Sequence, residues 1–130
     1  MEEHDRLAAL GDSAVRELRN GDLRAARAQV TEFTALLKSH NDVEERGMFA
    51  ALHELGEFVE VIEELAAEHV DLHARLDAFG ATPPEDELSR LLADLADHVE
   101  KENRGVFPFA YSAFSTNEWE IVEHAHRKVG

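Results

Sequence analysis

Four long segments of this chain place apolar residues at alternating steps of three and four, and none alternates apolar with polar residues over a strand's length. That periodicity commits the chain to amphipathic helices. The first stripe reads His4, Leu7, Gly11, Ala14, Leu18, and the second reads Ala26, Val30, Phe33, Leu37, His40, Glu44, Met48. The third reads Val59, Ile62, Ala66, His69, His73, Leu76, and the fourth Leu88, Leu91, Leu95, His98, Glu102, Val106. Breaks between them carry the expected punctuation. Asn20-Gly21-Asp22 offers a helix-ending Gly and a capping Asp, and Gly56 is a second, plainer stop. Gly80 followed by Thr82-Pro83-Pro84-Glu85 reads as a helix end, an N-cap Thr, a first-turn Pro and a capping-box Glu. Pro108 closes the fourth segment, and Ser115-Thr116-Asn117-Glu118 opens a fifth. The expected helices are 2–19, 22–55, 57–79, 85–106 and 116–127. Short connections between long helices imply antiparallel neighbours. The expected fold is therefore all-α: an up-down-up-down four-helix bundle with a short C-terminal fifth helix, forming one domain over 1–130.

Seven ionisable residues stand where the stripes reserve space for core: His4, His40, Glu44, His69, His73, His98 and Glu102. A buried charge without a partner costs several kcal/mol, so these residues must meet one another or hold something in common. Antiparallel geometry brings them level. His4 and His40 are equidistant in sequence from Asp22, and the His40/Glu44 and His69/His73 pairs straddle Gly56 evenly. The His69/His73 and His98/Glu102 pairs straddle the Gly80 to Pro84 loop with an offset of a few residues. Three hairpins thus gather all seven near one layer.

An internal repeat points the same way. His40-Asn41-Asp42-Val43-Glu44-Glu45-Arg46-Gly47-Met48-Phe49 aligns with His98-Val99-Glu100-Lys101-Glu102-Asn103-Arg104-Gly105-Val106-Phe107, sharing His, Glu, Arg, Gly and Phe in register. A lone His-x-x-x-Glu is weak evidence, since eight His and 19 Glu yield about one such pair by chance. His53 with Glu57 is such an instance, and His53 falls off the stripe of Ala51 and Leu55. Phase, height and repetition together make the set specific. Glu45 and Glu68, one step off the stripes, read as exposed, and His124 and His126 read as surface residues of the tail. Tyr111 and Trp119 are expected to pack the fifth helix in place.

Composition then limits the chemistry. With no Cys, thiolate zinc sites, iron–sulfur clusters, disulfides and Cys nucleophiles are excluded, so any metal must be held by nitrogen and oxygen. A net charge of −15 repels phosphate backbones and anionic lipid, which argues against nucleic-acid and membrane-surface partners. Neither a signal-type apolar run near the N-terminus nor a stretch able to span a bilayer occurs. The expected location is the cytoplasm.

Taken together, these residues resemble the hemerythrin-like (HHE cation-binding) family. The resemblance is carried by an N-terminal His, His40-x-x-x-Glu44 followed by Met48-Phe49, Glu68-His69-x-x-x-His73, and His98-x-x-Lys101-Glu102 followed by Val106-Phe107-Pro108, with Glu118-Trp119 further on. It implies a non-haem di-iron centre of five His and two bridging carboxylates, with an oxo or hydroxo bridge. His69, His73 and His98 would hold one iron, His4 and His40 the other, and Glu44 and Glu102 would bridge them. The fourth-helix carboxylate stands at the fourth place after His98, as in bacterial relatives, and Asn103 occupies the fifth. Zinc and manganese suit the same donors. The partner implied is a small diatomic ligand or peroxide, with a redox or regulatory partner protein left open. Reversible binding of O₂, nitric oxide or peroxide for storage, sensing or stress defence ranks first. A catalase-like or nitric oxide/O₂-reducing enzyme, or an iron-responsive role in iron homeostasis, are the alternatives.

Overall fold

The structure, a computed structural model, describes residues 2–80 and 82–129, with side chains for 3–80 and 82–127. The described residues are helical throughout and contain no strand. In chain order the helices are α1 (Glu2–Arg19), α2 (Leu23–Glu44), α3 (Ala50–Leu55), α4 (Val59–Phe79), α5 (Glu85–Lys101), α6 (Phe107–Ala113) and α7 (Thr116–Val129). A five-residue π turn joins α2 to α3 over Glu45–Phe49, and another joins α5 to α6 over Glu102–Val106. No described helix is long and apolar enough to cross a membrane.

The sequence punctuation accounts for most helix ends. Between α1 and α2, Gly21 takes φ 77, a left-handed conformation that a side chain resists. The Asp22 N–H donates back to the Glu17 carbonyl at 2.9 Å, closing α1, and Asp22 Oδ1 accepts from the Ala25 N–H at 3.1 Å, opening α2. At α7, the Ser115 N–H and hydroxyl both donate to Glu118 Oε1, at 2.9 and 2.8 Å, at the helix start expected from Ser115-Thr116-Asn117-Glu118.

Three expectations are corrected. The third helix begins at 59 and not 57, because Phe58 has a left-handed backbone (φ 55) and its ring meets Phe109 edge-on at 4.9 Å. Thr82 does not cap α5. Its hydroxyl accepts from Arg27 Nε at 2.7 Å, Glu85 pairs with Arg19, and the Pro84 carbonyl receives the first helical N–H, from Leu88 at 3.0 Å. Pro108 does not end the fourth segment. The preceding π turn is closed by the Phe107 N–H donating to the Glu102 carbonyl, so Pro108 falls in the first turn of α6, where its missing N–H is tolerated.

The chain divides into two compact units, Met1–Lys38 with Val70–Asp97, and Ser39–His69 with His98–Gly130. In the first unit Ala14, Val15, Val30 and Leu88 form a buried cluster flanked by Leu18, Phe79 and Leu92; Leu7, Phe33, Leu37, Leu76, Leu91 and Leu95 are buried at stripe positions, and Leu72 is buried beside the stripe position of the half-buried His73. Its charged groups pair at the surface: Arg75 with Asp94 at 2.7 Å and Lys38 with Asp77 at 2.9 Å. In the second unit Phe49, Ala51, Leu52, Ile62, Leu65, Val106, Phe107, Ala110, Phe114 and Val122 form one apolar cluster. The turn carrying Gly47 lies so close to α7 that a methyl there would sit 3.3 Å from both Val122 Cα and Ala125 Cβ. Trp119 packs against Phe114 at 5.1 Å and Tyr111 at 5.8 Å, the anchoring role expected of it. Tyr111 remains 65% exposed, which keeps it at the surface.

Candidate metal centre

The second unit also buries four polar residues, one from each of four elements. Glu44 ends α2, His69 lies mid-α4, His98 lies near the end of α5, and Glu102 begins the second π turn. Each side chain is 5% exposed or less. One ligand-type atom from each lies within 4.8 Å of the others, close enough to share one ion.

The distances show how the atoms face. His69 Nε2 and His98 Nε2 are 2.9 Å apart. Glu44 Oε1 stands 3.2 Å from His69 Nε2 and 3.9 Å from His98 Nε2, and Glu102 Oε1 stands 3.6 Å from His98 Nε2. His40, 13% exposed, brings its Nε2 to 3.3 Å from Glu44 Oε2 along one helical turn. The far side of each central ring is also held. His69 Nδ1 donates to Glu45 Oε1 at 3.1 Å, and His98 Nδ1 donates to Glu68 Oε1 at 2.8 Å. Phe49 stacks on His69 with 5.6 Å between ring centres and 12° between planes.

Those outer bonds decide what the inner face can do. A carboxylate only accepts, so Glu45 and Glu68 require a proton on Nδ1 of both imidazoles. The two Nε2 atoms, 2.9 Å apart, are then the ring atoms left to face the carboxylates or a cation. Glu44 Oε1 and both oxygens of Glu102 are buried without a hydrogen-bond partner among the described residues. Three buried carboxylate oxygens thus lie without a hydrogen bond beside two ring nitrogens 2.9 Å apart, a costly arrangement that a cation among them would relieve. The spacing fits an ion as well as the donor set does. Metal–imidazole bonds of about 2.1 Å at right angles place neighbouring nitrogens about 3.0 Å apart, close to the observed 2.9 Å.

The carboxylates carry the strain electrostatically. Burial alone would raise both, but His40, His69 and His98 outweigh it at Glu44 and hold that carboxyl far below its ordinary range. Glu102, desolvated and beside Glu44, is pushed up to about 11. Without a cation, one proton is therefore kept on the Glu102 side of the pair. At the rim, burial is outweighed at Glu68 by Lys101 and His98, which hold it below its ordinary range, and Glu68 and Glu64 raise Lys101 in return.

Of the seven residues expected from the sequence, His40, Glu44, His69, His98 and Glu102 meet within the second unit. His4 and His73 belong to the first unit, each half-buried on its helix. His53, His124 and His126 are exposed, as read from their phase. What the sequence reading missed is the outer pair. Glu45 is exposed as expected, at 42% of its side chain, yet it bonds His69, while Glu68 is only 29% exposed and bonds His98. Their signal was adjacency: each sits one residue from a candidate ligand, and a metal-binding imidazole usually gives its other N–H to a carboxylate.

A helical protein with a buried cluster of imidazole and carboxylate acceptors belongs among the non-haem metal-binding helical folds. The family model described as Hemerythrin HHE cation binding domain matches residues 1–110, and the chain belongs to that family. No curated protein and no solved structure matches it.

Proposed function

We propose that the chain is a non-haem di-iron protein that binds O₂, nitric oxide or peroxide reversibly, for storage, sensing or defence against oxidative and nitrosative stress. The observation that carries the metal reading is three buried carboxylate oxygens without a hydrogen bond, gathered beside two Nε2 atoms 2.9 Å apart. His40, Glu44, His69, His98 and Glu102 are the ligands this geometry supports, and the family resemblance adds His4 and His73. The same reading keeps the single domain over 1–130 in the up-down-up-down order of the family, a cytoplasmic location, and neither nucleic acid nor membrane as partner.

Iron held by these residues would supply the chemistry for binding a small ligand such as O₂, nitric oxide or peroxide. The chain's own residues set the conditions. Imidazoles held through Nδ1–H offer Nε2 inward, and Glu44 and Glu102 offer oxygens that would shed the proton kept between them on taking up a cation. Burial excludes bulk water. A set dominated by imidazole donates less charge than the four-Glu, two-His set of ferritin-like proteins, which favours reversible binding over activation of O₂. Iron-loaded, reduced protein mixed with O₂ is expected to develop a stable visible absorption band that vacuum removes. Rapid autoxidation with no such band would overturn the binding reading.

A further inference from the structure

The two copies of the internal repeat differ at five of ten positions, and two of those differences bear on the outer face of the centre. Where the first copy has Val43 and Glu45, the second has Lys101 and Asn103. In the first copy, consecutive residues address one ring: Glu44 faces His69 Nε2 at 3.2 Å and Glu45 accepts from its Nδ1 at 3.1 Å. In the second, Asn103 is exposed and makes no such bond; the Nδ1–H of His98 goes to Glu68, on α4. Glu68 in turn is gripped by Lys101, whose Nζ lies 2.6 Å from Glu68 Oε2 and 3.2 Å from Glu64 Oε1. Glu45 has no cationic partner among the described residues. The two carboxylates differ as bases towards the rings they hold.

A carboxylate on Nδ1 pulls the N–H proton and makes Nε2 a stronger donor. A lysine sharing that carboxylate draws charge the other way. We propose that Glu45 and the Glu68–Lys101 pair are positioning residues that fix both imidazoles with Nε2 inward and grade them unequally, Lys101 weakening His98 as a donor through Glu68 while His69 keeps the full pull of Glu45. The inference rests on the metal-binding reading above.

Zn²⁺ titration against a competing chromophoric chelator, with the metal-free full chain, tests it. Glu68→Gln keeps an acceptor oxygen but removes the charge, and weakens Zn²⁺ binding by about 10- to 100-fold. Lys101→Met returns the charge of Glu68 to His98 and tightens binding by about threefold, the scale of one exposed ion pair. In the Glu68→Gln background Lys101→Met changes nothing, because its effect passes through Glu68. A purely structural pair would lose affinity in both single variants, and a direct field from Lys101 would survive in the double variant; either result overturns the inference while leaving the metal site standing. Wild-type protein that binds no Zn²⁺ overturns both. Independently of metal, the histidine ¹⁵N spectrum of the metal-free protein should show the Nδ1–H tautomer at His69 and His98, and the Nε2–H tautomer at both rings would overturn the positioning role. Retained helical circular dichroism certifies that each variant is folded.

Discussion

The two compact units are built on the same helical periodicity and differ in what they place on it. In Met1–Lys38 with Val70–Asp97, the stripe positions around Phe33, Leu37, Leu88 and Leu91 are apolar and buried, and ionic pairs such as Arg75–Asp94 lie outside, where each contributes at most about 1 kcal/mol. In Ser39–His69 with His98–Gly130, the same stripe phase delivers Glu44, His69, His98 and Glu102 inward at 5% exposure or less. Both π turns fall in the second unit, each directly at or after a buried glutamate. A π turn widens the helix and is found disproportionately at functional sites. One unit spends its interior on cohesion, and the other gives part of its interior to unsatisfied acceptors.

The sharpest way to break that division is Glu44→Ala with Glu102→Ala. Bound metal should fall to background by elemental analysis while the helical circular dichroism persists; two metal ions per chain in the double variant would show that the inner face is not the site. Next in size, Phe33→Ala removes a side chain 1% exposed in the apolar unit and should cost about 3–5 kcal/mol in denaturant unfolding. Metal content per folded chain should stay unchanged, and its loss would mean that the units do not separate cohesion from binding.

The smallest effect concerns protons. In metal-free protein Glu102 is pushed up to about 11 from 4.5, so folding takes up a proton across that window. Its contribution is complete below the unfolded value and is lost as pH rises towards about 11. Glu44 shifts the opposite way, so its contribution is lost only as pH falls below 4.5, outside this range. Metal-free wild type should therefore lose stability between about pH 6 and about pH 9, by at most about 1.4 kcal/mol per pH unit. Glu102→Gln, which imitates the protonated acid, should flatten that slope in thermal melts. Equal slopes would place the retained proton elsewhere.

Much of this was legible because helical phase is a property of spacing alone. His69 and Glu102 were assigned inward by the same three- and four-residue steps that assigned Ile62 and Val106, and His53, off phase, is exposed. The π turns were not legible, since the four-residue steps across them, Glu44 to Met48 and Glu102 to Val106, fit an α-helix as well as the wider turn. Missing the second turn led directly to misplacing Pro108, whose cost depends on whether a turn restarts just before it. Thr82 and Glu85 carried a good capping signature, but Arg27 and Arg19 compete for the same oxygens from distant positions, and no local pattern reports that. Glu45 and Glu68 were passed over because exposure was inferred from phase, whereas their partners are set by the reach of a side chain around the edge of the stripe.

The close approach of Gly47 to Val122 and Ala125 bears on how the site keeps its form. An inserted residue in a helix behaves like a dislocation in a crystal: it can glide, because moving it by one position trades one hydrogen bond for its neighbour. Gliding past Glu44 and Glu45 would swing both carboxylates away from His69. Packing α7 onto the glycine pins the defect where it is. The pinning helix, Thr116–Val129, lies beyond the residues that the family model matches, so the fidelity of the inner face depends on a stretch of chain outside the part that defines its family.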